Sequence, residues 1–193
     1  ALIYMAGSFA DLDDGIDRAM DYLGSKEVTF KDTLFFEIGM KNMDRDRLEE
    51  AAYSFTRLLE YNSNYVDAPI AHVKLLTILD EKKEVEKAQE QRLKVVKLYS
   101  TESDWYLKNS GNQDAIKSSK KAIRDAYFDI PAYYHRKANK LDKDGDTESA
   151  GKEYDQAVVS YNDFLKAYPE PSWDHYRTHE FMAAVHLARK RFI

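Results

Sequence analysis

Apolar side chains recur along the chain at three- and four-residue steps, most cleanly over residues 154–169. There Ala157, Tyr161, Phe164, Leu165 and Tyr168 share one helical face. Pro169 ends that face because it has no amide hydrogen for the helical ladder. The same periodicity predicts a helix over residues 2–9. A second helix runs to about Leu23, capped by Asp11 or Asp13 and terminated by Gly24. Phe35, Ile38 and Gly39 mark a third helix, and Ala51 and Phe55 a fourth over residues 48–61, with Asp44 or Asp46 as its cap. Gly39 lacks a side chain, so a neighbouring helix can approach closely while Phe55 fills the space beside it.

Pro69 sits where the next helix begins, a position that wastes no hydrogen bond. Its apolar stripe is Leu75, Leu76 and Leu79, and that of its successor is Ala88, Val95 and Leu98. Ser103, Asp104 and Trp105 open a short helix that ends near Gly111. A long helix starts at about Gln113 and carries Ala115, Ala122, Ala126 and Phe128, and Pro131 kinks it or ends it before Tyr134. A closing helix over residues 173–191 sets Phe181, Val185, Ala188 and Phe192 on one face and Trp173, Ala184 and Leu187 on another.

Gly15, Ala51, Ala88, Ala122 and Ala157 mark successive second helices at separations of 36, 37, 34 and 35 residues. Within hairpins, Gly39 to Ala51 and Leu76 to Ala88 are both steps of twelve residues. Ala138 to Ala157 is nineteen, a difference that one extra turn on each helix would absorb. The expected fold is all-α, an αα superhelix of about five helical hairpins forming one domain over residues 1–193. The opening helix has no N-cap in front of Leu2; as the first helix of a repeat it is cut short at residue 1, and further repeats are expected to precede it.

Phe35, Ile38 and Gly39 are spaced like the W-x2-L-G of the tetratricopeptide repeat, and Ala51 and Phe55 supply its A-x3-F. Tyr134, Ala138 and Leu141 match the W, G and Y slots, while Ala157, Tyr161 and Pro169 match the second helix. The chain thus resembles the tetratricopeptide repeat family, with departures at Asn42 (tyrosine slot), Ser63 (proline slot) and Arg92 (aromatic slot). Tyr133 to Ala138, taken with Phe164 to Pro169, is similar to repeat proteins of gliding-motility and envelope machinery. Residues 154–169 resemble the long-hairpin repeats of bacterial lipoproteins of outer-membrane assembly.

That resemblance implies a right-handed solenoid and a non-catalytic scaffold, with a periplasmic or outer-membrane-associated location favoured over a cytoplasmic one. It implies a concave surface that receives a partner peptide or helix, with Phe36, Met40, Val73, Thr77, His135 and Asn139 in the groove slots. Members that clamp a terminal carboxylate use lysine and asparagine there, so Phe36, Met40, Val73 and Thr77 argue against a chaperone adaptor. The competing reading is a structural spacer or self-assembling segment without a groove.

Composition narrows the chemistry. A net charge of −5 without a basic block offers no footprint for nucleic acid. With no cysteine, disulfides, thiolate metal sites and cysteine nucleophiles are excluded. No apolar run approaches the roughly 18 residues of a membrane span. Asp142, Asp144 and Asp146, with Glu153, resemble a calcium loop, but Thr147 replaces the glycine of its sharp turn. An acidic interhelical turn capped by Asp146 or Thr147 is the favoured account. His175 and His179 have a zinc-compatible spacing without a third ligand. No phosphate loop or nucleophile elbow is present, so neither a cofactor nor an enzymatic activity is expected.

Overall fold

A computed structural model describes residues 1–189 of the chain. The chain is all-α, and among the described residues there is no strand. The helices are α1 (Leu2–Ala10), α2 (Gly15–Gly24), α3 (Lys31–Asp44), α4 (Leu48–Tyr61) and α5 (Ala68–Glu81), followed by α6 (Val85–Leu98), α7 (Asp104–Asn109), α8 (Gln113–Lys143), α9 (Thr147–Ala167) and α10 (Trp173–Arg189). They form two compact units: residues 1–91 with 97–120, and residues 92–96 with those from Lys121 onward. Arg191 and Phe192, assigned above to the closing helix, lie outside the described residues.

Hairpins α3–α4, α5–α6 and α8–α9 turn through one backbone motif. Each has a three-residue link whose middle residue is left-handed: Asp46 (φ 58°), Lys83 (φ 57°) and Gly145 (φ 85°). The middle amide donates to the carbonyl three residues back, Met43, Asp80 and Asp142 respectively. The next amide donates to the carbonyl five back, at Asn42, Leu79 and Leu141. These are the bonds of a Schellman closure, which satisfies carbonyls that a helix end leaves free. Asp14, before α2, is left-handed as well (φ 55°).

In each of the four, the left-handed residue stands seven positions after Gly7, Gly39, Leu76 or Ala138, and a fully buried alanine stands twelve after: Ala19, Ala51, Ala88 and Ala150. This register corrects two anchors. Ala19 takes the place assigned to Gly15, and Ala150 the place assigned to Ala157, so the near-constant period does not survive. Gly15 and Ala157 are themselves buried, because small residues recur on nearly every turn of a packed face. Nor does α8–α9 gain a turn on each helix. Its α8 side ends five residues after Ala138, as α3 does after Gly39, while the second helix runs on further past its anchor, α9 being 21 residues long against 14 in α4.

The expected side-chain caps are absent at two helix starts. The N-caps are Asp14 and Arg47, neither with a side-chain cap bond; Arg47 has only donors and cannot accept from the first amides of α4. Gly24 is the last residue of α2 and does not turn left-handed; Ser25 leaves in the right-handed region. Of the two residues expected to cap α9, Asp146 does so, accepting from the Ser149 amide at 3.1 Å, and Ser103 caps α7, accepting from the Tyr106 amide at 3.2 Å. Pro131 stays inside α8, which runs through it for 31 residues.

In the first unit, Leu34, Phe35, Ile38, Phe55 and Leu58 are fully buried. A carbon placed on Gly39 would lie 2.7 Å from the Phe55 ring, so α3 and α4 touch where no side chain fits. Trp105 is sealed: its indole N–H donates to the Tyr65 carbonyl at 2.7 Å, and its ring meets Tyr99 edge-on at 5.2 Å. His72 is buried against Tyr99, ring and hydroxyl both, which makes it a core histidine. The second unit closes around Ala138, Ala150, Tyr154, Ala157, Tyr161 and Val185. Arg92, in the aromatic slot, is buried with its charge answered by Asp129 at 3.5 Å. On α10, Val185 is buried, whereas Trp173 (72% exposed) and Leu187 (68%) remain in solvent.

Candidate partner-binding surface

The common register places the six groove candidates at two repeated positions. Phe36, Val73 and His135 stand three residues before their hairpin anchors, and Met40, Thr77 and Asn139 one after. Two residues of α1 fill the same positions and were missed in the sequence: Tyr4 and Ser8, three before and one after Gly7. Tyr4 is 84% exposed, the most open aromatic of the set. The register of α1 shows only in the structure, through the left-handed turn at Asp14, because the sequence of the opening helix carries no repeat signature.

Phe36 is only half available. Its ring packs on Phe55 at 5.8 Å and on Tyr65 at 6.2 Å, so one face is core and the other is surface. Met40 and Val73 are partly buried, and Thr77 is exposed with its hydroxyl donating to the Val73 carbonyl at 3.0 Å. These four, with Tyr4 and Ser8, belong to the first unit, in which α1 packs on α3. His135 and Asn139 belong to the second unit and are engaged there. Asn139 accepts from the Tyr154 hydroxyl at 2.8 Å, and His135 Nδ1 lies 3.4 Å from that of Tyr161. Burial, helped by the Arg136 charge, holds the His135 pKa below its ordinary value. Burial also pushes the Tyr161 phenol up to about 12.

A cavity of about 370 Å³ lies between the α1–α2 turn and the facing ends of α3 and α4. None of the six groove candidates lines it. Asn42 and Ser54 are buried members of its wall, and Asp13, Asp14, Glu49 and Glu50 also border it. Tyr53, another lining residue, donates its phenol to Asp17 at 2.6 Å, and Arg57 adds an ion pair at 2.8 Å. That phenol and then Arg57 hold the Asp17 carboxyl below its usual range, despite some desolvation.

The carboxylates of the calcium-like segment are not gathered. Asp142 is on the last turn of α8, Asp146 caps α9, and Glu153 is ion-paired with Lys137 at 2.6 Å. Asp144 is an exposed turn residue. No three acidic or histidine side chains converge on a metal position among the described residues. The His175 and His179 rings are neighbours at 4.8 Å. No described helix is long and apolar enough to cross a membrane. No protein-family model matches the chain, and no curated protein matches it significantly.

Proposed function

We propose that this chain is a non-catalytic protein-interaction scaffold of the tetratricopeptide kind, which receives a partner peptide or helix. The first-helix face of α1, α3 and α5 is the docking surface, within a bacterial envelope assembly. The observation that supports this most is the repeated register. It sets Tyr4 and Ser8, Phe36 and Met40, and Val73 and Thr77 at equivalent positions of three first helices. Phe36, Met40 and Val73, apolar and partly buried, offer a partner apolar area at little ordering cost. The non-catalytic reading rests on the lack of a nucleophile or phosphate-binding motif in the sequence.

Site-specific photo-crosslinking tests it, with benzoylphenylalanine at Tyr4 or Thr77 and a control at exposed Leu93. Envelope proteins trapped at Tyr4 and Thr77, but not at Leu93, would support the docking face. Equal trapping at all three sites would sink it. A second reading, self-association, is favoured by the exposed Trp173, Tyr176 and Leu187 of α10. A monomeric mass at every concentration in light scattering would dismiss it.

A further inference from the structure

The first two turns of α10 carry a pair of imidazoles that the fold does not use. His175 and His179 stand four residues apart, so one helical face presents both. Their ring centres are 4.8 Å apart, with the planes inclined at 66°. Two imidazoles sharing one ion at about 2.1 Å, with an angle of about 90–110° at the metal, have ring centres about 4.5–5.2 Å apart. The pair already stands at that separation. The helix beneath it is fixed: Ser172 Oγ accepts from the His175 amide at 3.2 Å, and the buried Thr178 donates its hydroxyl to the Asp174 carbonyl at 2.8 Å. Neither imidazole has a hydrogen bond or ion pair among the described residues. His72 and His135 differ, each meeting a tyrosine hydroxyl. His179 is exposed, and the half-buried His175 has its Nδ1 enclosed, so Nε2 is the nitrogen it offers.

The surroundings decide which ion fits. Asp174, beside His175 in the chain, is held by Arg124 at 2.5 Å. Glu180 lies about 100° round the helix from His179. Calcium and magnesium need several oxygen ligands, which this face does not supply. Zinc takes three or four protein ligands in its usual sites, more than the pair provides. Copper(II) heads the affinity order for nitrogen ligands with nickel(II) next below it, and both accept tetragonal arrangements that water can complete. We propose that His175 and His179 form a two-point clamp for one nitrogen-seeking divalent ion, copper(II) or nickel(II). An ion held by the first imidazole meets the second at high local concentration, so the pair holds it more tightly than either ring alone. The site belongs to the second unit and shares no residue with the α1–α3–α5 face, so failure of that face as a docking surface leaves it untouched.

The test titrates the full chain with nickel(II), then with copper(II), by calorimetry in a buffer that binds metals weakly. The expected result is one saturable site per chain, with no heat from magnesium or calcium. His179→Ala, at an exposed position, should keep the helical ellipticity of the parent and weaken binding about tenfold or more, because the chelate is lost. His175→Ala should do the same. A spacing control keeps the number of histidines and removes the clamp. His179→Ala combined with Glu180→His, also at an exposed position, sets two imidazoles five residues apart, about 140° round the helix. It should bind no better than His179→Ala alone. His186→Ala, at an exposed histidine nearer the end of α10, should bind like the parent. No saturable binding of either ion, undiminished affinity in His179→Ala, or full affinity in the spacing control would each overturn the proposal. Loss of binding in His186→Ala would overturn it too, by placing the ion elsewhere.

Discussion

Hairpins α3–α4 and α8–α9 turn through the same backbone bonds and pack their interiors in opposite ways. In the first, the contact is made by leaving atoms out: Gly39 faces the Phe55 ring, where a carbon would sit at 2.7 Å. In the second, the same position is Ala138, and the aromatic sixteen residues on is Tyr154, whose hydroxyl reaches Asn139 at 2.8 Å. One hairpin closes by close approach, the other by an added methyl and a hydrogen bond. The register thus belongs to the backbone turn, and the side chains fill whatever spacing each pair of helices adopts. The comparison also explains the seven further residues of α9. Once Ala150 and Tyr154 have set the hairpin, Ala157, Tyr161 and Phe164 continue the same buried face.

The largest test of that contrast exchanges the small residues. Gly39→Ala pushes a methyl into the Phe55 ring, which is fully buried and has little room to retreat. A loss of about 1–3 kcal/mol is expected in urea unfolding, the reverse of the usual glycine-to-alanine gain in a helix. Ala138→Gly should lose only about 1 kcal/mol, from helix propensity. Equal losses would remove the contrast in packing between the two hairpins. A smaller test addresses the turns. Gly145 is left-handed at φ 85°, so Gly145→Ala should cost about 1 kcal/mol, whereas Asp46→Gly and Lys83→Gly should leave stability unchanged or raise it by up to about 1 kcal/mol. A loss in all three would mean that the Asp46 and Lys83 side chains do more than tolerate the conformation.

The smallest effect is pH-dependent and confined to α8–α9. His135 is half-buried, and its pKa is lowered by burial and by Arg136. The unfolded chain therefore takes up the proton first. Its neutral form supports folding above the unfolded value, near 6.5, and that support is lost as pH falls through the lowered folded value. The melting temperature should drop slightly more between pH 7 and 5 in the parent than in His135→Gln. Identical drops would assign the pH dependence to other groups.

The helices were readable in the chain because their apolar faces repeat every three to four residues, and α4 falls on the expected residues 48–61. Their junctions were less so. Asp11, Asp13, Asp44 and Asp46 were natural cap candidates, but the helices α2 and α4 start without side-chain caps, and a Schellman turn can place Asp46 or Lys83 at positive φ with no glycine to announce it. The anchor alanines slipped for a related reason: a face carrying Ala150 and Ala157 offers two candidates, and only the turn decides between them. Asn42 stood out in the sequence merely as a misfit in a tyrosine slot. Its burial, with Nδ2 donating to Ser54 Oγ while Ser54 donates to the Glu50 carbonyl, is a matter of geometry that spacing does not encode.

The two indoles have a consequence for anyone watching this protein unfold. Trp105 is sealed in the first unit with its N–H bonded, while Trp173, at the start of α10, already stands in water. Intrinsic fluorescence is therefore an optical label on one unit: Trp105 has a red shift to give on exposure, and Trp173 has almost none. Ellipticity at helical wavelengths sees both units together. The gap between the two melting curves, recorded on one sample, is then a direct reading of how independently the two units come apart.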